Sequence, residues 1–152
     1  MMTASCELPV IGWREWVALP ALSTRPFQAK IDSGAKTCAL HANYVEPFVR
    51  DHTEWVRFGI PASKKSALIV HCEAPLKERR SVRDSGGHRE LRCVIETAML
   101  IGRIALVAEL TLTDRATLQY RMLIGRNALQ SHFLIDSARS FTLGKPSLAA
   151  DC

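Results

Sequence analysis

The sequence predicts an all-β fold, a small closed β-barrel with at most one short helix. Three features point there. The chain holds many short apolar runs of strand length. Stretches such as Glu54-Trp55-Val56-Arg57-Phe58-Gly59-Ile60 alternate at period two, and proline or glycine turns separate the runs.

Taken in order, Trp13-Arg14-Glu15-Trp16-Val17-Ala18-Leu19 reads as a first strand, ended by Pro20. Ser23-Thr24-Arg25-Pro26 is a turn, and Phe27-Gln28-Ala29-Lys30-Ile31 is a second strand that delivers Asp32 at its end. The close spacing predicts a hairpin. Ala39-Leu40-His41-Ala42-Asn43-Tyr44-Val45 leaves the Asp32 loop, Glu54 to Ile60 is a half-buried strand stopped by Pro61, and Ser66 to Cys72 is another short β run. From Glu73 to Arg92 the chain turns charged and glycine-bearing, with Asp84-Ser85-Gly86-Gly87-His88 as a turn signal. Two readings stand for residues 73–92: a solvated loop, or a β-hairpin flap whose Gly86-Gly87 tip approaches a bound substrate. Leu91 to Asp114 predicts a long hairpin around Gly102-Arg103, and Leu118 to Ile124 a further strand. Asn127 to Ser131 has the length of one helical turn. Phe133 to Asp136 and Ser140 to Leu143 read as two closing strands.

The length of 152 residues suits one domain, residues 1–152, with a core of its own. Hydrophobic residues make up 47% and charged residues 23%, the balance of an ordinary globular protein. Met1 to Glu7 lacks a basic and then apolar leader, and no apolar run is long enough to span a bilayer, so a cytoplasmic location and no membrane partner are expected. Five scattered cysteines without a C-x-x-C pair argue against a disulfide framework or a cysteine zinc site. The net charge of +5 and a pI near 9.2 fit nucleic acid or an acidic protein equally. Nucleic acid is the less favoured partner, because Trp13, Trp16 and Trp55 fall on expected core strands and not beside basic clusters.

The chemistry is carried by Asp32-Ser33-Gly34-Ala35 together with Met122-Leu123-Ile124-Gly125-Arg126-Asn127-Ala128-Leu129. Either segment alone is weak, since Asp-Ser-Gly is also a plain turn. In this order, roughly one small-domain length apart, they resemble the two-part signature of a retropepsin-like aspartic protease. Peptide hydrolysis by carboxylates needs two facing one water, one ionised and one protonated, sharing a proton because like charges so close cannot both ionise. The chain has one Asp-Ser-Gly, so the second carboxylate must be Asp32 of another copy, on the axis of a C2 homodimer. On this reading Ser33 bonds across the axis. Gly34 lets the backbone approach its mate and offers an N–H to the carboxylate. Ala35 is small where substrate backbone would lie.

The stretches Ala29 to Ala42 and Asp114 to Leu129 resemble a bacterial family labelled ATP-dependent zinc protease. Its members look retropepsin-like and include proteases associated with the RimK glutamate ligase. The resemblance runs from Gly12-Trp13-Arg14-Glu15 to Ser140-Phe141. It implies Asp32 as the catalytic aspartate, with Ser33 and Gly34 completing the triplet, and Leu123, Ile124 and Gly125 bracing the loop from behind. Retroviral enzymes carry an aspartate after the alanine, paired with the later arginine. Here Lys36 stands there, so either Lys36 and Arg126 face an acidic substrate, or Lys36 points to solvent and Arg126 pairs elsewhere, for instance with Asp136. The link to RimK, which adds glutamates to a ribosomal protein, implies a glutamate-extended protein tail as substrate. Neither half of the family label has support in the residues. His-Glu-x-x-His and a Gly-x-x-x-x-Gly-Lys-Ser/Thr loop are both missing, and His41, His71-Cys72, His88 and His132 are single histidines, so no metal or other cofactor is expected. The expected function is a homodimeric aspartic endopeptidase. The alternative is a catalytically silent module of the same fold that binds an acidic protein.

Overall fold

The computed structural model describes residues 7–63, 67–84, 86–115 and 119–147. Twelve strands are present among them: β1 Val10–Ile11, β2 Arg14–Ala18, β3 Phe27–Ile31, β4 Cys38–His41, β5 Tyr44–Arg50, β6 Thr53–Pro61, β7 Ile69–Pro75, β8 Glu78–Arg83, β9 Arg89–Ile101, β10 Ile104–Thr113, β11 Met122–Ile124 and β12 Leu134–Ile135. The α-helix among the described residues is the single turn α1, Arg126–Leu129. The fold is all-β, and no described helix is long and apolar enough to cross a membrane.

The main sheet has seven strands in the order β10-β4-β11-β3-β2-β9-β8, and β9 also pairs with β10. That last pairing closes the sheet on itself, with β8 as an outer strand on β9. Alternation drives the closure. In β3, Phe27, Ala29 and Ile31 turn inward while Lys30 is exposed, and in β10, Ala108, Leu110 and Leu112 do the same. These side chains join Val17, Leu40, Met99, Ile101, Met122 and Ile124 in one apolar cluster.

A separate three-stranded sheet, β5-β6-β7, contributes Val56, Phe58, Cys72 and Ala74 to that cluster from its inner face. Its outer face carries Phe48 and Trp55 side by side, with Arg50 and Arg57 lying over the rings and Glu73 bonded to both guanidiniums. The tryptophans therefore differ from expectation. Trp13, Trp16 and Trp55 are half-buried, and each has a cation over its ring: Arg14, Lys145 and Arg50 respectively. Their distance from basic residues is thus no argument against nucleic acid, although rings already covered by a cation offer little free face for a base.

Several expected boundaries move. The Ala39–Val45 stretch splits into β4 and β5, and β5 turns into β6 through Asp51 (φ 51°) and His52 (φ 65°). The Glu73–Arg92 segment is not a loop: Glu73 to Pro75 finish β7, and β8 pairs antiparallel with the start of β9 around an Asp84–His88 turn. Ser66, Ser85 and Leu118 lie outside the described residues, and the strand expected from Leu118 is formed only by Met122–Ile124.

The two closing strands reduce to β12, which runs parallel to β1. Ser140 to Leu143 form no strand, because a buried carboxylate replaces ladder partners there. Glu15 (0% exposed) accepts N–H groups from Gly12 (2.7 Å), Thr142 (3.0 Å) and Leu143 (3.2 Å), together with the Thr142 hydroxyl. Those donors fold the segment into turns, with Phe141 at φ 55°.

Candidate active site

Strand β11 lies between β3, to which it is parallel, and β4, to which it is antiparallel. Parallel neighbours end on the same side, so the residues following Ile31 and Ile124 emerge together. The Asp32 N–H donates to the Ile124 carbonyl at 2.9 Å, carrying the ladder one residue into the loop. Past it, the Arg126 N–H reaches the Ala35 carbonyl (2.8 Å) and the Asn127 N–H the Lys36 carbonyl (2.9 Å). Two segments far apart in sequence thus lock edge to edge.

Gly125 is the point of closest approach: a Cβ there would sit 2.4 Å from the Thr37 carbonyl oxygen. Inside the loop, the Gly34 N–H donates to Asp32 Oδ1 (3.0 Å) and the Ala35 N–H to the Asp32 carbonyl (3.2 Å). The first bond fixes the carboxylate's rotamer. Asp32 is half-buried, Ser33 and Gly34 are exposed, and Asp32 Oδ2 has no hydrogen-bond partner among the described residues. One oxygen is held and the other is open to a ligand.

Of the other residues singled out above, Ile124 is in the core and Leu123 is half-buried, paired with Lys30 and Ala39. Arg126 Nη1 donates to the Ser33 carbonyl at 2.9 Å, bracing the loop. The alternative partner Asp136 is taken by Arg139 at 3.2 Å. Lys36 is exposed, and no ion pair among the described residues involves it. Gly86 and Gly87 stand at the tip of the β8–β9 hairpin, where Asp84 Oδ1 accepts the Gly86 and His88 N–H groups and Gly87 adopts φ 85°. No described hydrogen bond ties this tip to the Asp32 loop.

The sequence reading missed Arg115. It lies close enough to Asp32 and Arg92 to feel both charges. Burial and Arg92 lower its pKa, and Asp32 opposes them. Its Nε donates to the Tyr120 carbonyl (3.2 Å), and its own N–H donates to His41 Nδ1 (2.8 Å). The Asp114-Arg115 pair follows β10 at the His41 end of β4, and nothing in the local sequence marks it.

His41 is buried, and because Nδ1 accepts a hydrogen bond its ring is neutral in the fold. Burial lowers its pKa from 6.5, with Asp114 pulling upward and Arg121 and Arg115 pushing down. Between that lowered value and 6.5 the unfolded chain binds the extra proton, so stability rises with pH across the window. The contribution is whole above about pH 6.5 and is lost as pH falls toward the folded value. Urea midpoints should therefore be flat from pH 8 to 6.5 and then decline, and His41→Asn, whose Oδ1 replaces the acceptor, should flatten that decline. An unchanged pH profile in the variant would remove His41 from the account.

The described thiols are poor nucleophiles: burial pushes Cys38 up to about 11 and raises Cys72 and Cys93. The histidines do not converge, and no three His, Cys, Asp or Glu among the described residues are grouped to hold a metal. His71 Nδ1 is engaged by the Tyr44 hydroxyl instead.

A family model described as the retropepsin-like aspartic endopeptidase RimB matches residues 10–146. The chain belongs to this RimB-like family. Curated relatives carry a different name. A probable alpha-L-glutamate ligase of Shewanella pealeana is 40% identical over 137 residues, covering 90% of this chain and 30% of that protein. One from Desulfotalea psychrophila is 37% identical over 147 residues, 96% of this chain and 32% of that protein. The RimB-like chain thus spans about a third of the length of these relatives. Among solved structures, a Legionella pneumophila protein of unknown function superimposes with a TM-score of 0.72 at 24% identity, covering 89% of this chain and 98% of that one. That match shows the shared fold.

Proposed function

We propose that this RimB-like chain is an aspartic endopeptidase whose catalytic unit is a homodimer, with Asp32 of each copy facing one water. The observation that supports it most is the interlocked pair of segments that holds Asp32 Oδ1 on the Gly34 N–H and leaves Oδ2 without a partner among the described residues. One carboxylate per chain cannot be both base and acid at once. In the paired site the ionised Asp32 takes a proton from water as the oxygen attacks the scissile carbonyl, and the protonated Asp32 gives its proton to the carbonyl oxygen. The tetrahedral intermediate then collapses, with a proton passing to the leaving amine as the C–N bond breaks.

The small β1–β12 sheet favours pairing between copies. The outer edge of β12 is open among the described residues, whereas on β1 the Val10 carbonyl accepts from the Thr142 hydroxyl, and Val10 (41% exposed), Leu134 (56%) and Ile135 (39%) leave apolar side chains uncovered there. An acidic peptide is the fitting substrate, since Lys36 is exposed with no acidic partner among the described residues and the chain carries a net charge of +5. The ligase name of the relatives suggests that the substrate is a protein tail extended with glutamate, as on a ribosomal protein, and that ligation belongs to the part of those proteins this chain does not match. The β8–β9 hairpin is the candidate flap.

The test is sedimentation combined with hydrolysis of a glutamate-tailed peptide over a range of protein concentrations. Activity per chain should fall as dilution separates the dimer, and a chelator should leave the rate unchanged. A fully active monomer, or activity abolished by the chelator, would refute the mechanism. Binding without hydrolysis at any concentration would leave the silent module in its place.

A further inference from the structure

A second, unassigned feature sits at the far end of β3 from Asp32, about 16 Å along the strand. Here Ser23, Arg25, Phe27, Ile60, Pro61 and Arg121 line a cavity of about 100 Å³. Arg121 forms part of its wall. The guanidinium lies over the Phe27 ring at 5.0 Å from its centroid, and Nη1 donates to the Pro61 carbonyl at 2.8 Å. No carboxylate among the described residues pairs with it, whereas Arg50, Arg57, Arg79, Arg80, Arg92 and Arg139 each have one. Burial without a counter-charge lowers its pKa. Arg25, exposed on the same wall, also lacks an acidic partner among the described residues.

A guanidinium has five donors in a planar fork suited to an oxyanion. Arg121 uses one on a carbonyl, and its aliphatic and π contacts hold the fork in place. A half-buried cation that faces a cavity with a second arginine and no acid is electrostatically incomplete. Phe27, Ile60 and Pro61 make the rest of the wall apolar, which fits methylenes behind the charged end. The volume is that of about three waters, enough for a carboxylate on one or two methylenes.

We propose that this cavity binds a carboxylate on a short aliphatic stem, the size of a glutamate side chain, with Arg121 as its principal donor and Arg25 at the mouth. Two sources share that chemistry: a free small dicarboxylate, and a glutamate of a peptide bound elsewhere on the protein. The site does not depend on the aspartic mechanism.

The experiment is calorimetric titration of the Asp32→Asn protein, which removes any hydrolysis, with glutarate and separately with a capped tri-glutamate peptide. Saturable binding is expected, weakened by about tenfold or more in Arg121→Gln, the loss of one charge-assisted hydrogen bond. Arg121→Lys, which keeps the charge but not the fork, should lie between, and melting curves confirm that each variant is folded. Glutarate binding as tightly as the peptide identifies a free acid as the occupant; a peptide preference that vanishes in Arg121→Gln identifies a peptide side chain. No saturable binding of either probe, or equal binding in folded Arg121→Gln, would overturn the site. Because the readout is binding at Arg121, its failure is separate from any failure of Asp32 to hydrolyse.

Discussion

Asp32→Asn should lower peptide hydrolysis by about a thousandfold or more while leaving the fold and the proposed dimer intact, since both the base and the acid of the proposed site are copies of this one side chain. The substitution is nearly isosteric, and the asparagine Oδ1 can still accept the Gly34 N–H that Asp32 Oδ1 accepts at 3.0 Å. Loss of rate is then a loss of proton transfer, with no collapse of the loop. The paired site adds a sharper consequence. Wild-type protein mixed with an excess of Asp32→Asn and allowed to exchange subunits should lose its activity, because each wild-type copy is captured by a partner with no second carboxylate. A monomeric enzyme would keep its rate in the same mixture. Wild-type-like turnover in the purified variant would remove Asp32 from the chemistry altogether.

The parts of this arrangement written into local sequence were readable, and those that depend on distant partners were not. Phe27 to Ile31 alternates cleanly and ends at a turn triplet, so β3 and the position of Asp32 follow from period two and turn chemistry. The β9–β10 hairpin was visible because Gly102, at φ 55°, marks its turn. The β5–β6 hairpin was not, because Asp51 and His52 hold left-handed conformations with no glycine between the strands to announce them. The Ser140–Leu143 stretch has strand-like composition. It forms turns because Glu15, 127 residues upstream of Thr142, collects its donors, and a carboxylate inside a strand pattern gives no hint of that role. With Lys36 standing where its expected partner would be, Arg126 read either as a substrate contact or as pairing inside the subunit. Only the fold shows the Ser33 carbonyl within its reach. Arg115 and the Arg121 cavity depend on strand order alone and have no local signature.

Gly125→Ala should destabilise the protein by about 3 kcal/mol, the range of an overpacked core position. Its melting temperature should fall by roughly 6–12 °C for a domain of this size. The added Cβ would lie 2.4 Å from the Thr37 carbonyl oxygen, 2.6 Å from its carbon and 2.9 Å from its nitrogen. All three are backbone atoms, so no side-chain rotation relieves the contact. Either the Thr37 backbone or the start of α1 must move, and both carry the Asp32 loop: the Ala35 and Lys36 carbonyls accept from Arg126 and Asn127, the residues just after the glycine. Activity should therefore drop well beyond what lost stability explains, measured at a temperature where the variant is fully folded. Gly144→Ala is the control. Gly144 has φ 76°, and a Cβ added there would meet nothing within 4 Å, so alanine carries only the backbone cost of a left-handed residue, about 1 kcal/mol, with no effect on the loop. If Gly125→Ala melts and turns over like the wild type, the close approach of the two segments is not what holds Asp32 in place.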